Sequence, residues 1–166
     1  MHLQSEFETG FKEEVSNRTY AHLVTKKLLS RTSSSEMGIF WRAYHQLEEF
    51  QAPLYSNICK RWGIDKSVGL SQKIKSSLIA CAPRFLFSGM LVSTKKATEE
   101  YVDTLKSLAK IGPKSDKWFL DYMVAQESLQ VHMLNLAIEK RYTEASAEVS
   151  TFIKEHQFLI EASDEY

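Results

Sequence analysis

The chain has 166 residues, 43% of them hydrophobic and 25% charged, and a single domain of that length, residues 1–166, buries about two-thirds of its unfolded surface around one core. Its 21 basic side chains are balanced by 21 acidic ones, so no overall field draws it to nucleic acid or to an anionic membrane, and neither is expected as a partner. Met1 to Gly10 is acidic and polar, without the apolar core of a signal peptide, and the longest apolar run, Leu78 to Val92, is broken by Pro83, Arg84, Ser88 and Gly89 and is too short to span a bilayer. A cytoplasmic location is the expectation. Cys59 and Cys81 have neither zinc-knuckle nor redox-pair spacing and read as small packing residues.

With six glycines and three prolines in the chain, breaks are few and each marks a helix end or bend. The first helix is predicted from about Ser5 to Ser30, with Phe7, Phe11, Val15, His22 and Leu29 on one face. Ser33 to Ser35 turns the chain, and Ser33 with Glu36 has capping-box spacing. A second helix follows from about Glu36 to Trp62, striped by Phe40, Tyr44, Leu47, Leu54, Ile58 and Trp62, with Pro53 expected to bend it near Glu49 and not to stop it. Gly63 to Gly69 reads as a linker, Leu70 to Ala82 as a short helix ending at Pro83, and Arg84 to Lys110 as the third long helix, closed by Gly112-Pro113. Ser115 is placed to cap a fourth helix running to about Lys140, and Thr143 to Ile160 forms a last, shorter one.

Four segments of roughly 26 to 28 residues are each about 40 Å long and can lie side by side. Tight turns join the first to the second and the third to the fourth, and about 20 residues between the second and third suffice to return along the bundle. The fold class is all-α. Two hairpins joined by one long crossover, with a short extra C-terminal helix, resemble the ferritin-like four-helix bundle. That resemblance implies a di-iron site in which two helices each give one Glu and the other two give Glu-x-x-His.

The corresponding spacings here are Glu48-x-x-Gln51 on the second helix and Glu127-x-x-Gln130 on the fourth. Both histidines are replaced by glutamine, and a neutral amide is a poor ligand for iron. On the first helix Arg18 stands on the apolar face, with Glu14 one turn before it and His22 one turn after. The third helix presents Thr94 and Tyr101 inward, while Glu99 projects outward. On the fourth, Gln126 and Gln130 are surrounded by Phe119, Met123, Met133, Leu134 and Ala137, with Glu127 at the side of that face.

Buried amides and carboxylates require partners. Arg18, with five donors, is the candidate to bridge Glu14 and one or both of Glu48 and Glu127, setting a fixed positive charge where a metal would sit. Glu14, Arg18, His22, Glu48, Gln51, Gln126, Glu127 and Gln130 are therefore the candidate polar network. It has three readings: a register device, a pocket floor for a small organic or anionic molecule, and an altered iron or manganese site held by Glu14, His22, Glu48 and Glu127.

The expected function is a small-ligand-binding or interaction module with no cofactor. The alternative is a metal-dependent oxidoreductase. A heme-oxygenase-like bundle, with His22 on its first helix as the heme ligand, stands third. The outer face of the last helix offers a surface for a homodimer. His45 and His132 project toward the polar sides of their helices, and no phosphate-binding glycine loop or nucleophile triad is present.

Overall fold

In the computed structural model, which describes residues 4–65 and 87–163, five helices pack together and no strand occurs among the described residues. They are α1 (Ser5–Thr32), α2 (Met37–Trp62), α3 (Phe87–Ile111), α4 (Lys117–Ile138) and α5 (Tyr142–Ser163), with one 3-10 turn at Lys114–Asp116. The short helix expected from Leu70 to Ala82, its stop at Pro83, the onset of the third helix at Arg84 and the packing of Cys81 lie outside the described residues. No helix among those described is long and apolar enough to cross a membrane.

Contacts at the helix ends fix the directions. Phe7, at the start of α1, packs edge-on against Trp62 at the end of α2, ring centroids 5.2 Å apart, so the two helices are antiparallel. Leu108, near the end of α3, lies beside Gly10 of α1, so α3 is antiparallel to α1 as well. Gly112 sits against Leu120 and Phe7, which starts α4 at the same end. Tyr122, early in α4, meets Phe152 and His156, late in α5, so α5 runs antiparallel to α4. Thus α1 and α4 point one way, and α2, α3 and α5 the other. The closest pairings are α1 with α2, α3 with α4, and α5 with α2 and then α4. Helices α1 and α3 approach each other much less closely.

The core is built by Phe7, Phe11 and Leu28 from α1, Phe40, Leu47, Leu54 and Ile58 from α2, and Phe119, Leu120 and Met123 from α4, all essentially buried; on α1 it is Leu28 that is enclosed, and Leu29, which the sequence placed on the inner face, is half-buried. One end is an aromatic cluster. The ring of Phe11 meets Trp62 at 4.7 Å and Phe119 at 5.9 Å between centroids, both edge-on, the arrangement that ring quadrupoles favour. At the other end Gly38 is required, because a Cβ there would collide with the backbone oxygen of Thr32. Gly63 ends α2 in the left-handed region, φ 68°, where a side chain is strained.

Three local expectations are corrected. The Ser33/Glu36 capping box does not form: Glu36 stays in right-handed helical geometry with no side-chain cap, and the turn is closed by Ser35, whose N–H and hydroxyl both donate to the Thr32 carbonyl at 2.8 Å. Ser115 does not cap α4; the preceding residues make a 3-10 turn and Asp116 takes the boundary position. Its buried carboxylate instead accepts from Arg61 and, at 2.9 Å, from the Trp62 indole, tying α4 to the end of α2. The last helix is not a short appendage. It has 22 residues, as many as α4, and Tyr142, Ala145, Val149, Phe152 and Leu159 make it a full layer against α2 and α4. As expected, α2 continues through Pro53.

Candidate functional site

Midway along the bundle, Arg18 is buried among three carboxylates from three helices. Its Nη2 donates to Glu127 Oε2 at 2.7 Å and its Nη1 to Glu48 Oε1 at 3.2 Å. Glu14, one turn earlier on α1, lies with Oε1 3.1 Å from Nε, an ionic contact in which the N–H is not aligned on the oxygen. Burial alone would lower the Arg18 pKa, but Glu127, Glu14 and Glu48 together hold it well above the ordinary value. Arg18 is therefore a permanent cation.

The glutamines and tyrosines complete the network. Gln51 donates to Glu48 Oε2 at 2.6 Å and Gln130 donates to Glu48 Oε1 at 2.9 Å. Tyr44 donates to the Gln130 carbonyl at 2.8 Å, and Tyr55 to Glu14 Oε1 at 2.6 Å. Tyr101, from α3, stands beside Glu14 and Asn17. Burial is the main reason that the Tyr44, Tyr55 and Tyr101 hydroxyls are held in the protonated, donating form.

Glu48 and Glu127 are both pushed up to about 7. Burial raises them and Arg18 only partly offsets it; Glu14 adds to the rise in both cases, and Glu48 adds to it at Glu127. Near neutral pH the cluster thus shares protons among its acids.

Of the eight residues that the sequence reading brought together, the structure joins Glu14, Arg18, Glu48, Gln51, Glu127 and Gln130. It leaves out two. Gln126 is completely buried, but neither of its amide atoms has a hydrogen-bond partner among the described residues; one residue from Glu127 is about 100° round the helix, which turns it away from Arg18. His22 is half-buried and rests on His45 at 4.9 Å between ring centroids. Its pKa is lowered by burial and then by His45. His45 is itself a correction, because it is buried between α1 and α2 and its Nδ1 lies 3.3 Å from the Thr25 hydroxyl.

These residues do not fit a metal. The point that a cation would occupy between the carboxylates is taken by the Arg18 guanidinium, and both glutamines turn their NH2 groups, not their carbonyls, toward Glu48. No group of three His, Cys, Asp or Glu side chains among the described residues could hold an ion, so Glu14, His22, Glu48 and Glu127 do not converge as ligands.

Sequence reasoning missed Tyr44 and Tyr55 as members. The signal was present: Tyr44, Glu48, Gln51 and Tyr55 recur at helical spacing on one face of α2, and a buried phenol needs a partner for its hydroxyl.

Two cavities reach the network from opposite sides of α1. Between α1 and α3 lies one of about 440 Å³, with Arg18, Tyr44, Glu127 and Gln130 at its base and Val24, Trp41, Met90 and Leu91 among its apolar walls. Between α1 and α2 lies one of about 230 Å³, which reaches Arg18, Glu48 and Gln51. The larger exists because the residues facing across the α1/α3 gap are small: Ala21 on α1, and Ser93, Thr94, Ala97 and Thr98 on α3.

No family model matches this chain, and no curated protein or solved structure is significantly similar to it.

Proposed function

We propose that this chain is a small-molecule-binding helical bundle whose ligand enters between α1 and α3 and rests its polar end on the Arg18 network. The observation that carries the reading is the cavity itself, at about 440 Å³ within the range of small-molecule pockets, mostly apolar with a few convergent polar groups. A register device would need the network alone. It would not need an opening down to Glu127 and Gln130, flanked by small side chains on two helices.

The bundle is of ferritin-like type in this reading. Support comes from the helix directions, with α2 and α3 running the same way and α1 and α4 opposed to them, and from inward carboxylates on α1, α2 and α4. Arg18 takes the place of the metal pair, and the residues left around it serve to bind and not to oxidise.

The test is a fragment screen by two-dimensional NMR on the whole chain and on Ala97→Phe. Ala97 is exposed at the cavity mouth, so the substitution fills the opening with a stability change within about 0.5 kcal/mol. Binders are expected to perturb residues lining the α1/α3 gap, the Trp41 indole among them, and to lose that effect in the variant. Shifts confined to other faces, or unchanged in Ala97→Phe, would sink the proposal.

A further inference from the structure

Resting on that reading, we propose that the ligand of the α1/α3 cavity is an organic cation, a protonated amine on a small apolar or aromatic body, which donates to Glu127 at the cavity base. The geometry of Glu127 comes first. The residue is nine-tenths buried and more, and it lines the cavity. Only Oε2 is engaged, by Arg18; Oε1 accepts no hydrogen bond from any described residue. A nearly buried acceptor without a donor is a vacancy for a ligand N–H.

The charge around that oxygen selects the ligand. Three carboxyls, from Glu14, Glu48 and Glu127, share the single guanidinium of Arg18, and no other basic side chain among the described residues lines the cavity. An anion would meet an arginine whose charge is already outnumbered and would add to the excess. A cation would remove it. The walls agree, because Tyr20, Trp41, Tyr44 and Tyr101 are all among the lining residues, and aromatic faces attract an ammonium group that is leaving water. The titratable groups that act on Glu127 are Glu14 and Arg18 from α1 and Glu48 and Tyr44 from α2, while Tyr101 of α3 lines the same cavity and stands beside Glu14. With no ligand, burial keeps Glu127 and Glu48 partly protonated near neutral pH; an arriving cation displaces those protons, and its binding tightens as pH rises.

Three probes with comparable skeletons separate the outcomes: 2-phenylethylamine, 2-phenylethanol and 3-phenylpropionate, titrated into the whole chain and followed by NMR. An aliphatic amine stays charged from about pH 5.5 to about pH 8, so any change in its affinity across that interval reports the protein. The amine is expected to bind at least tenfold more tightly than the alcohol at about pH 8 and to weaken at least tenfold at about pH 5.5, as Glu127 and Glu48 take up protons. The alcohol should change little.

In Glu127→Gln the amine's advantage and its pH dependence should both disappear while the alcohol still binds. If that variant does not fold, the pH series on the unaltered chain decides. Alcohol or carboxylate binding as tightly as the amine at about pH 8 overturns the cation and leaves the pocket reading standing. An amine affinity unchanged in Ala97→Phe overturns it too, since the amine would then sit elsewhere. If none of the three binds at millimolar concentration, the pocket reading itself fails.

Discussion

Arg18 is the residue on which the interior depends, since among the described residues it is the one positive charge paired with the three buried acids. Removing one partner of a buried ion pair leaves the other charge stranded and typically costs about 3–5 kcal/mol. Arg18→Met keeps most of the aliphatic volume and removes the charge. The loss of stability is expected to be about 3 kcal/mol or more at about pH 8, and clearly smaller at about pH 5.5, where Glu48 and Glu127 can take up protons. Chemical denaturation at the two pH values measures it. An equal loss at both would mean that the side chain matters for packing and not for charge.

Glu127 shows what one spacing can and cannot reveal. Gln130, three residues on, was legible as a glutamine in the place of a metal-binding histidine, whereas the unengaged Oε1 of Glu127 was not, because that depends on which way Arg18 reaches from another helix. His22, expected inside, is half-buried, and His45, expected on the polar side, is buried, for a similar reason. A projection at a fixed angle per residue ranks faces on one helix, but the neighbour's position decides which face is covered, and α1 lies against α2 so that His22 covers His45.

Among the elements, the junction before α4 carries a specific load. Asp116 is buried at its boundary and bridges Arg61 and Trp62 at the end of α2, so it fastens the two hairpins where the aromatic cluster also lies. Asp116→Ala should cost about 1–3 kcal/mol, mostly by stranding the Trp62 N–H, and should lower the melting temperature while leaving the α1/α3 cavity intact. A variant that melts like the parent would show that the bridge contributes nothing. The helices themselves were legible from periodicity and from the glycine and proline breaks, with ends displaced by a few residues. The two caps were not, because Ser33, Ser115 and Glu36 have the right chemistry for capping but the chain enters α2 and α4 through continuous turns. The length and role of α5 were missed because its apolar stripe, Val149, Phe152 and Leu159 among it, does not say which helices will receive it.

For the molecule as a whole, the proton balance of the network sets the pH dependence of folding. Glu48 and Glu127 have folded pKa values of about 7 against 4.5 in an exposed chain. The folded state therefore binds more protons than the unfolded one between those values, and stability falls as pH rises through that interval and levels off above it. His22, lowered by burial, acts the other way, favouring folding less as pH drops below its ordinary value. Two strongly buried carboxyls outweigh one half-exposed imidazole, so the chain should be more stable at about pH 5 than at about pH 8. Denaturation midpoints across that range check the sign, and a rising curve would show that the carboxyls are fully compensated.

By itself the sequence determined the all-helical class, the ends of the long helices to within a few residues where the structure describes them, and, among eight candidates, the five polar side chains Glu14, Glu48, Gln51, Glu127 and Gln130 that meet around Arg18. These follow from local spacing, since residues three and four apart must share a helix face and a buried charge must find its opposite. Only the tertiary structure decided that the fifth helix is a full layer, that Gln126 and His22 stand outside the network, and that α1 and α3 are held apart over a cavity with Arg18, Tyr44, Glu127 and Gln130 at its base. Each of those depends on how far one helix lies from another. That distance is set by side chains distributed over the whole bundle, and no short spacing records it.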